Sequence, residues 1–187
     1  MHKVIIEPHA DDAFLSLHNT MKKWIREGHQ VTIVTVYSGT RKRAIDAQKY
    51  AASIGASWIG LGYDEGDEFS KLEFRDKLNP LYEDDIEIYI PFGIQNEEHQ
   101  KVKRALYCNE PSVFQYLEIP YYVKSKNQEE ISSVLEDFEY VVVSIVPGGG
   151  RKGDEKYWKC FKDQSKFFYF NPPESFKTIP EIIVFKQ

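Results

Sequence analysis

Residues 3–13, KVIIEPHADDA, constrain the fold of this chain more than any other stretch. Val4, Ile5 and Ile6 form a continuous apolar run, the pattern of a strand buried on both faces of a parallel sheet. Pro8 ends the run, because proline lacks the N–H that a sheet ladder needs. His9, Asp11 and Asp12 follow, three side chains able to bind a metal or move a proton. Phe14, Leu17, Met21 and Trp24 then recur at spacings of three and four, which predicts an amphipathic helix. The polar cluster therefore sits between the carboxyl end of a strand and a helix, where open α/β sheets bind ligands. The plainer reading is a helix cap from Asp11 or Asp12 and a loop histidine bonded to backbone.

The pattern repeats down the chain. Gly28 is placed to stop the first helix, and residues 31–37 (VTIVTVY) are β-branched enough for a second strand. Ala44, Ala47, Ala51 and Ile54 return at helical spacing, Gly55 closes that helix, and residues 58–61 make a short third strand. Strand-helix-strand-helix-strand order implies parallel strands joined by right-handed crossovers. An acidic loop, GYDEGDEF, and a short helix over 70–78 precede a fourth strand at 86–90. A helix over 97–107 follows, with His99 in its first turn, the same kind of place as His9 and Asp12. Further strands are expected at 113–119, 121–124, 140–146 (buried) and 182–185, with helices at 128–135 and 155–168. The whole is read as one domain, residues 1–187. It is an α/β, three-layer Rossmann-like fold with a mainly parallel sheet and helices on both faces.

Composition narrows the function. A formal net charge of -5 does not favour a nucleic-acid backbone as the main partner. No apolar run is long enough to span a bilayer, and the chain opens straight into a strand without a signal-peptide pattern. Cys108 and Cys160 lie far apart and fit buried thiols in a reducing compartment, so a cytoplasmic location is expected.

A catalytic zinc commonly takes three protein ligands from His, Asp or Glu and keeps a position open for water. His9 and one of the two aspartates can reach one ion from a tight turn, and His99 is placed to supply the third ligand. Spacing does not say which of Asp11 and Asp12 is that ligand. His2, His18 and His29 are expected in solvated roles. Gly148, Gly149 and Gly150, with Arg151 and Lys152, precede a helix and could cradle a phosphate, although a mobile loop over the site is favoured. Arg41 and Arg43 are either a solvated helical turn or a grip on a charged part of a substrate.

Residues 8–13, P-H-A-D-D-A, resemble the (P/A)HPDDE motif of the PIG-L/LmbE-like zinc-dependent de-N-acetylases, and residues 96–99, N-E-E-H, resemble that family's HxDH. Weaker similarities run on through Arg43 and Asp46, Asp64, residues 116–120, residues 156–164, and Glu174 with Phe176. The resemblance implies that His9, Asp12 and His99 hold zinc (or another divalent metal) and that Asp11 is the general base. It places Asn96 in the catalytic set and Arg43 and Asp64 on the substrate. It implies hydrolysis of an N-acetylated amino sugar or a conjugate of one. Ala13 stands where the family has glutamate, Asn96 where it has histidine, and Glu98 where it has aspartate. These departures motivate an alternative, a weak or inactive relative that binds a sugar or nucleotide-sugar. A third reading is a metal-free nucleotide-binding domain that uses residues 147–153.

Overall fold

The structure is a computed structural model that describes residues 1–82, 85–106, 113–119, 121, 132–133, 135–136, 140–147 and 179–186. The apolar run near the start forms β1 (His2–Glu7), and Val4, Ile5 and Ile6 are all buried. It is a central strand with a parallel neighbour on each side. These are β2 (Gln30–Thr35), with Ile5 opposite Ile33, and β4 (Ile86–Pro91), with Ile5 opposite Tyr89. β3 (Ser57–Gly60) extends the sheet beyond β2, and β5 (Val113–Tyr116) extends it beyond β4. β6 (Tyr140–Val146) and β7 (Glu181–Lys186) complete the order β3-β2-β1-β4-β5-β7-β6. β7 pairs antiparallel with both β5 and β6, and the other described pairings are parallel.

Helices cover both faces. Ile5 packs on one side with Phe14, Met21 and Trp24 of α1 (Asp12–Arg26) and Tyr50 and Ala51 of α2 (Arg41–Ile54). Val4 and Ile6 point the other way, onto Phe74 and Leu78 of α3 (Lys71–Leu78) and Val102, Ala105 and Leu106 of α4 (Glu97–Leu106). Alternate residues of one strand thus feed two cores, each buried side chain of Leu, Ile or Phe size contributing about 1.5–3 kcal/mol. The arrangement is the expected three-layer Rossmann-like α/β fold.

The ends of the elements follow local chemistry. Gly55 ends α2 in the left-handed conformation at φ 86°, and the Ser70 hydroxyl caps α3 by accepting from the Glu73 N–H at 3.1 Å. α1 is broken at Leu17, whose φ of -137° is not helical. The buried Glu181 carboxylate accepts from the N–H groups of Asn19 (2.9 Å) and Thr20 (2.7 Å), so a side chain from β7 caps the second half of α1.

Three expectations are corrected. His18 is fully buried, with Nδ1 2.9 Å from the Tyr50 hydroxyl, because α1 turns it onto α2 rather than to solvent. His2 is 2.8 Å from the Thr32 hydroxyl through Nε2. Among the described residues β6 is an edge strand with Val142 and Val143 each 48 % exposed, so its run of β-branched residues reflects strand geometry and not burial on two faces. The expected elements at 121–124, 128–135 and 155–168 lie wholly or mostly outside the described residues. So do Cys108, Cys160, Gly148 to Lys152, Glu174 and Phe176.

Candidate metal centre

After β1 the chain passes to β2 and β3 on one side, then crosses back to β4 on the other. The loops after β1 and β4 therefore leave in opposite directions and open a crevice between them. His9, Asp11 and Asp12 follow β1; His99 follows β4 in the first turn of α4.

His9, Asp12 and His99 meet there. His9 Nδ1 is 3.3 Å from His99 Nε2 and 3.4 Å from Asp12 Oδ2, and His99 Nε2 is 3.3 Å from Asp12 Oδ2. A tetrahedral zinc at about 2.0–2.1 Å from each ligand requires donor atoms about 3.3–3.4 Å apart. The three atoms therefore form one face of the required tetrahedron, with the fourth corner left for water or substrate.

Neighbouring carboxylates set the tautomers. His9 Nε2 is 2.7 Å from Glu98 Oε2, and His99 Nδ1 is 3.2 Å from Glu118 Oε1. A carboxylate accepts, so each of these nitrogens carries the proton and the opposite nitrogen keeps its lone pair. Two imidazole lone pairs and a carboxylate oxygen then face one point, which suits a cation. The electrostatics favour positive charge at this point: without a metal the carboxylates favour protonated imidazoles, whose extra protons a bound cation would displace. Burial pushes the His9 imidazole down, but Asp12 and Glu98 outweigh it and raise it to about 9. His99 is likewise raised against its burial by Asp12 and Glu118. Asp12 is held low, against the push of burial, by both histidines.

Asp11 sits beside this triangle and outside it. Burial first and the Asp12 charge second raise its carboxyl to about 6. The structure thus separates the two aspartates that spacing could not: Asp12 turns its oxygen to the histidines, and Asp11 does not.

The β1 turn is held by a residue that the sequence pattern left unmarked. Buried Glu7 accepts from the Thr35 hydroxyl at 2.6 Å and from the Ala13 N–H at 2.9 Å. A glutamate carboxylate therefore still serves the start of α1, although residue 13 itself is alanine. Tyr37 stacks on His9, with ring centroids 5.6 Å apart. In the sequence Glu118 falls only within the weak similarity over 116–120. It also accepts from the N–H groups of Gly93 (2.7 Å) and Ile94 (3.1 Å), tying His99 to the β4 loop.

Asn96 is half-buried and its Oδ1 accepts from the N–H groups of Glu98 (2.9 Å) and His99 (3.4 Å), which makes it the cap of α4. Arg43 pairs with Glu65, which lies 3.8 Å from His9 Nε2, and the Arg43 charge lowers Asp11. Asp64 is exposed in the loop after β3, next to Gly39 at the carboxyl end of β2. Arg43 and Asp64 thus lie at the rim, while Asp46 makes no described contact with the centre.

Comparisons with known proteins bear on the fold and the family. A teicoplanin-biosynthesis deacetylase matches over 100 % of this chain and 99 % of its own, with a TM-score of 0.70 at 12 % identity. N,N'-diacetylchitobiose deacetylase from Pyrococcus horikoshii matches over 99 % and 84 %, with a TM-score of 0.56 at 11 % identity. The 4-carboxy-2-hydroxymuconate hydratase from Pseudomonas putida matches over 94 % and 81 %, at 0.56 and 9 %. At these identities the likeness is one of fold, and the fold carries more than one chemistry. A search of curated protein sequences finds no match. A sequence model of the PIG-L family, described as GlcNAc-PI de-N-acetylase, matches residues 4–155. That span runs from Val4 within β1 past β6 and holds every donor atom of the triangle, and the chain belongs to the PIG-L (GlcNAc-PI de-N-acetylase) family.

Proposed function

We propose that the protein is a metal-dependent amide hydrolase that removes the acetyl group from an N-acetylated amino sugar or a conjugate of one. The observation that carries this reading is the donor triangle of His9, Asp12 and His99, with edges of 3.3–3.4 Å. Zinc fits that donor set; bound there, it supplies an acidified water and a positive charge beside the developing oxyanion.

The chain's own residues do the rest. Asp11 takes the proton of the attacking water and later returns it to the leaving amine, a role that suits a buried carboxyl raised towards neutrality. Glu98 and Glu118 hold the two imidazoles in the tautomers that leave their inner nitrogens unprotonated. Arg43 and Asp64 at the rim bind the sugar or its conjugate. A net charge of -5 does not favour a nucleic acid as the partner. No helix among the described residues is long and apolar enough to cross a membrane.

One observation favours the alternative of a sugar-binding relative: Asn96 is used as a helix cap and brings no titratable group. Acetate release from a panel of N-acetylated sugars by the zinc-loaded protein separates the readings. The parent should turn over at least one, and Asp11→Asn should keep zinc yet lose about 10²–10⁴-fold in rate. A parent that binds the sugars and releases no acetate would favour the binding protein. An Asp11→Asn variant as active as the parent would remove Asp11 from the chemistry.

A further inference from the structure

One side chain ties the loop after β3 to the first turn of α4. Residues 64–67 form a turn closed on itself: the Asp67 N–H donates to the Asp64 carbonyl at 3.1 Å, and Asp67 Oδ2 accepts from the Asp64 N–H at 2.8 Å. Within this turn Gly66 takes a φ of 88°, and its N–H donates to Glu98 Oε1 at 2.8 Å. The other oxygen of that carboxylate, Oε2, is the one 2.7 Å from His9 Nε2. Lys101 of α4 pairs with Glu68, and Arg43 of α2 pairs with Glu65. Both glutamates are exposed, so these pairs hold the loop weakly. The bonds to Glu98 are charge-assisted, and its side chain is only 20 % exposed. Glu98 stands where the family has aspartate. From the same backbone an aspartate, one methylene shorter, cannot set one oxygen on His9 and the other on Gly66.

We propose that Glu98 is a positioning residue for the rim as well as for His9: through Gly66 it fixes the turn over 64–67, and with it Asp64, relative to the metal centre. Its effect on substrate rests on the amide-hydrolase reading; the tie itself rests on the two bonds. Because the turn is closed on itself, one bond at Gly66 places all four of its residues. The rim is then registered against a metal ligand, and a sugar held by Asp64 is registered against the metal. Glu98 touches neither substrate nor metal, so its second bond acts on substrate binding through the loop.

The test compares parent, Glu98→Gln, Glu98→Ala and Glu98→Asp. The readouts are zinc affinity and, at saturating zinc, hydrogen exchange of the amides of residues 64–67 and steady-state kinetics on N-acetylglucosamine and its conjugates. In Glu98→Gln the amide oxygen keeps the Gly66 bond, while the NH2 meets His9 Nε2 and drives the imidazole proton onto Nδ1, the nitrogen that zinc needs. That variant should bind zinc about 10–100-fold more weakly, with loop exchange and KM within about twofold of the parent. Glu98→Ala should weaken zinc comparably, and it should also speed exchange at Gly66 about tenfold and raise KM several-fold. Glu98→Asp should lose zinc affinity, loop protection or both. If Glu98→Ala exchanges at Gly66 like the parent, or Glu98→Gln exchanges like Glu98→Ala, the tie falls whatever happens to zinc. Faster exchange with an unchanged KM overturns the role at the rim. A Glu98→Asp variant that keeps both zinc affinity and loop protection overturns the need for the longer stem. If the parent releases no acetate from any sugar, the hydrolase reading fails, and exchange alone decides the tie.

Discussion

Glu7 carries a carboxyl group whose burial, only partly offset by the bonds from Thr35 and Ala13, holds it well above the usual 4.5. The folded state therefore binds its proton more tightly than the unfolded chain. That contribution to stability is complete below pH 4.5 and is lost as pH rises through the raised folded value. In chelator-treated protein, Glu7→Gln should flatten the fall of unfolding free energy with rising pH. Urea unfolding across that range checks it, and parallel curves for parent and variant would contradict it. Residues of this kind are hard to read from sequence. His9, Asp11, Asp12 and His99 announce themselves by type and by place after a strand. Glu7 and Glu118 lie within or beside apolar runs, and only the pairing of distant segments shows what they bond. Asn96 was legible as a motif position, but its capping role needed the start of α4.

The elements near the crevice are set by close approach as well as by pattern. Gly39, at the turn after β2, donates to the Tyr63 carbonyl at 2.9 Å. A Cβ there would run into the Asp64 carboxylate and lie 3.1 Å from the Tyr63 carbonyl oxygen. Gly39→Ala should therefore shift the loop after β3 and the rim residue Asp64. The expected result is a KM several-fold higher on the preferred sugar, with zinc affinity retained and a stability loss of about 1–2 kcal/mol. Unchanged KM would mean that Asp64 does not contact substrate. β1 to β4 and their helices were readable because strand and helix periods alternate cleanly and Gly or Pro marks each boundary. The break in α1 at Leu17 was not, because the apolar spacing continues through it and its cause, Glu181, lies in the last strand. Edge position also left no mark on β6, whose run Val141, Val142 and Val143 would suit a central strand equally well.

At the scale of the molecule, the order β3-β2-β1-β4 decides where chemistry can occur. It brings residues 90 apart in sequence, His9 and His99, to 3.3 Å. The parallel order was readable from the chain, but the reversal beside β1, which makes the crevice, rests on the sheet pairing. The central claim is that this crevice holds a metal on His9, Asp12 and His99. Zinc titration against a chromophoric chelator, run in parallel on parent, Glu118→Gln and His99→Ala, tests it most directly. The parent should bind one zinc per chain tightly. Glu118→Gln should bind it about 10–100-fold more weakly, because a neutral amide holds the His99 tautomer less firmly. His99→Ala should lose tight binding while its circular dichroism stays that of the parent. Equal zinc affinity in parent and His99→Ala would contradict the account.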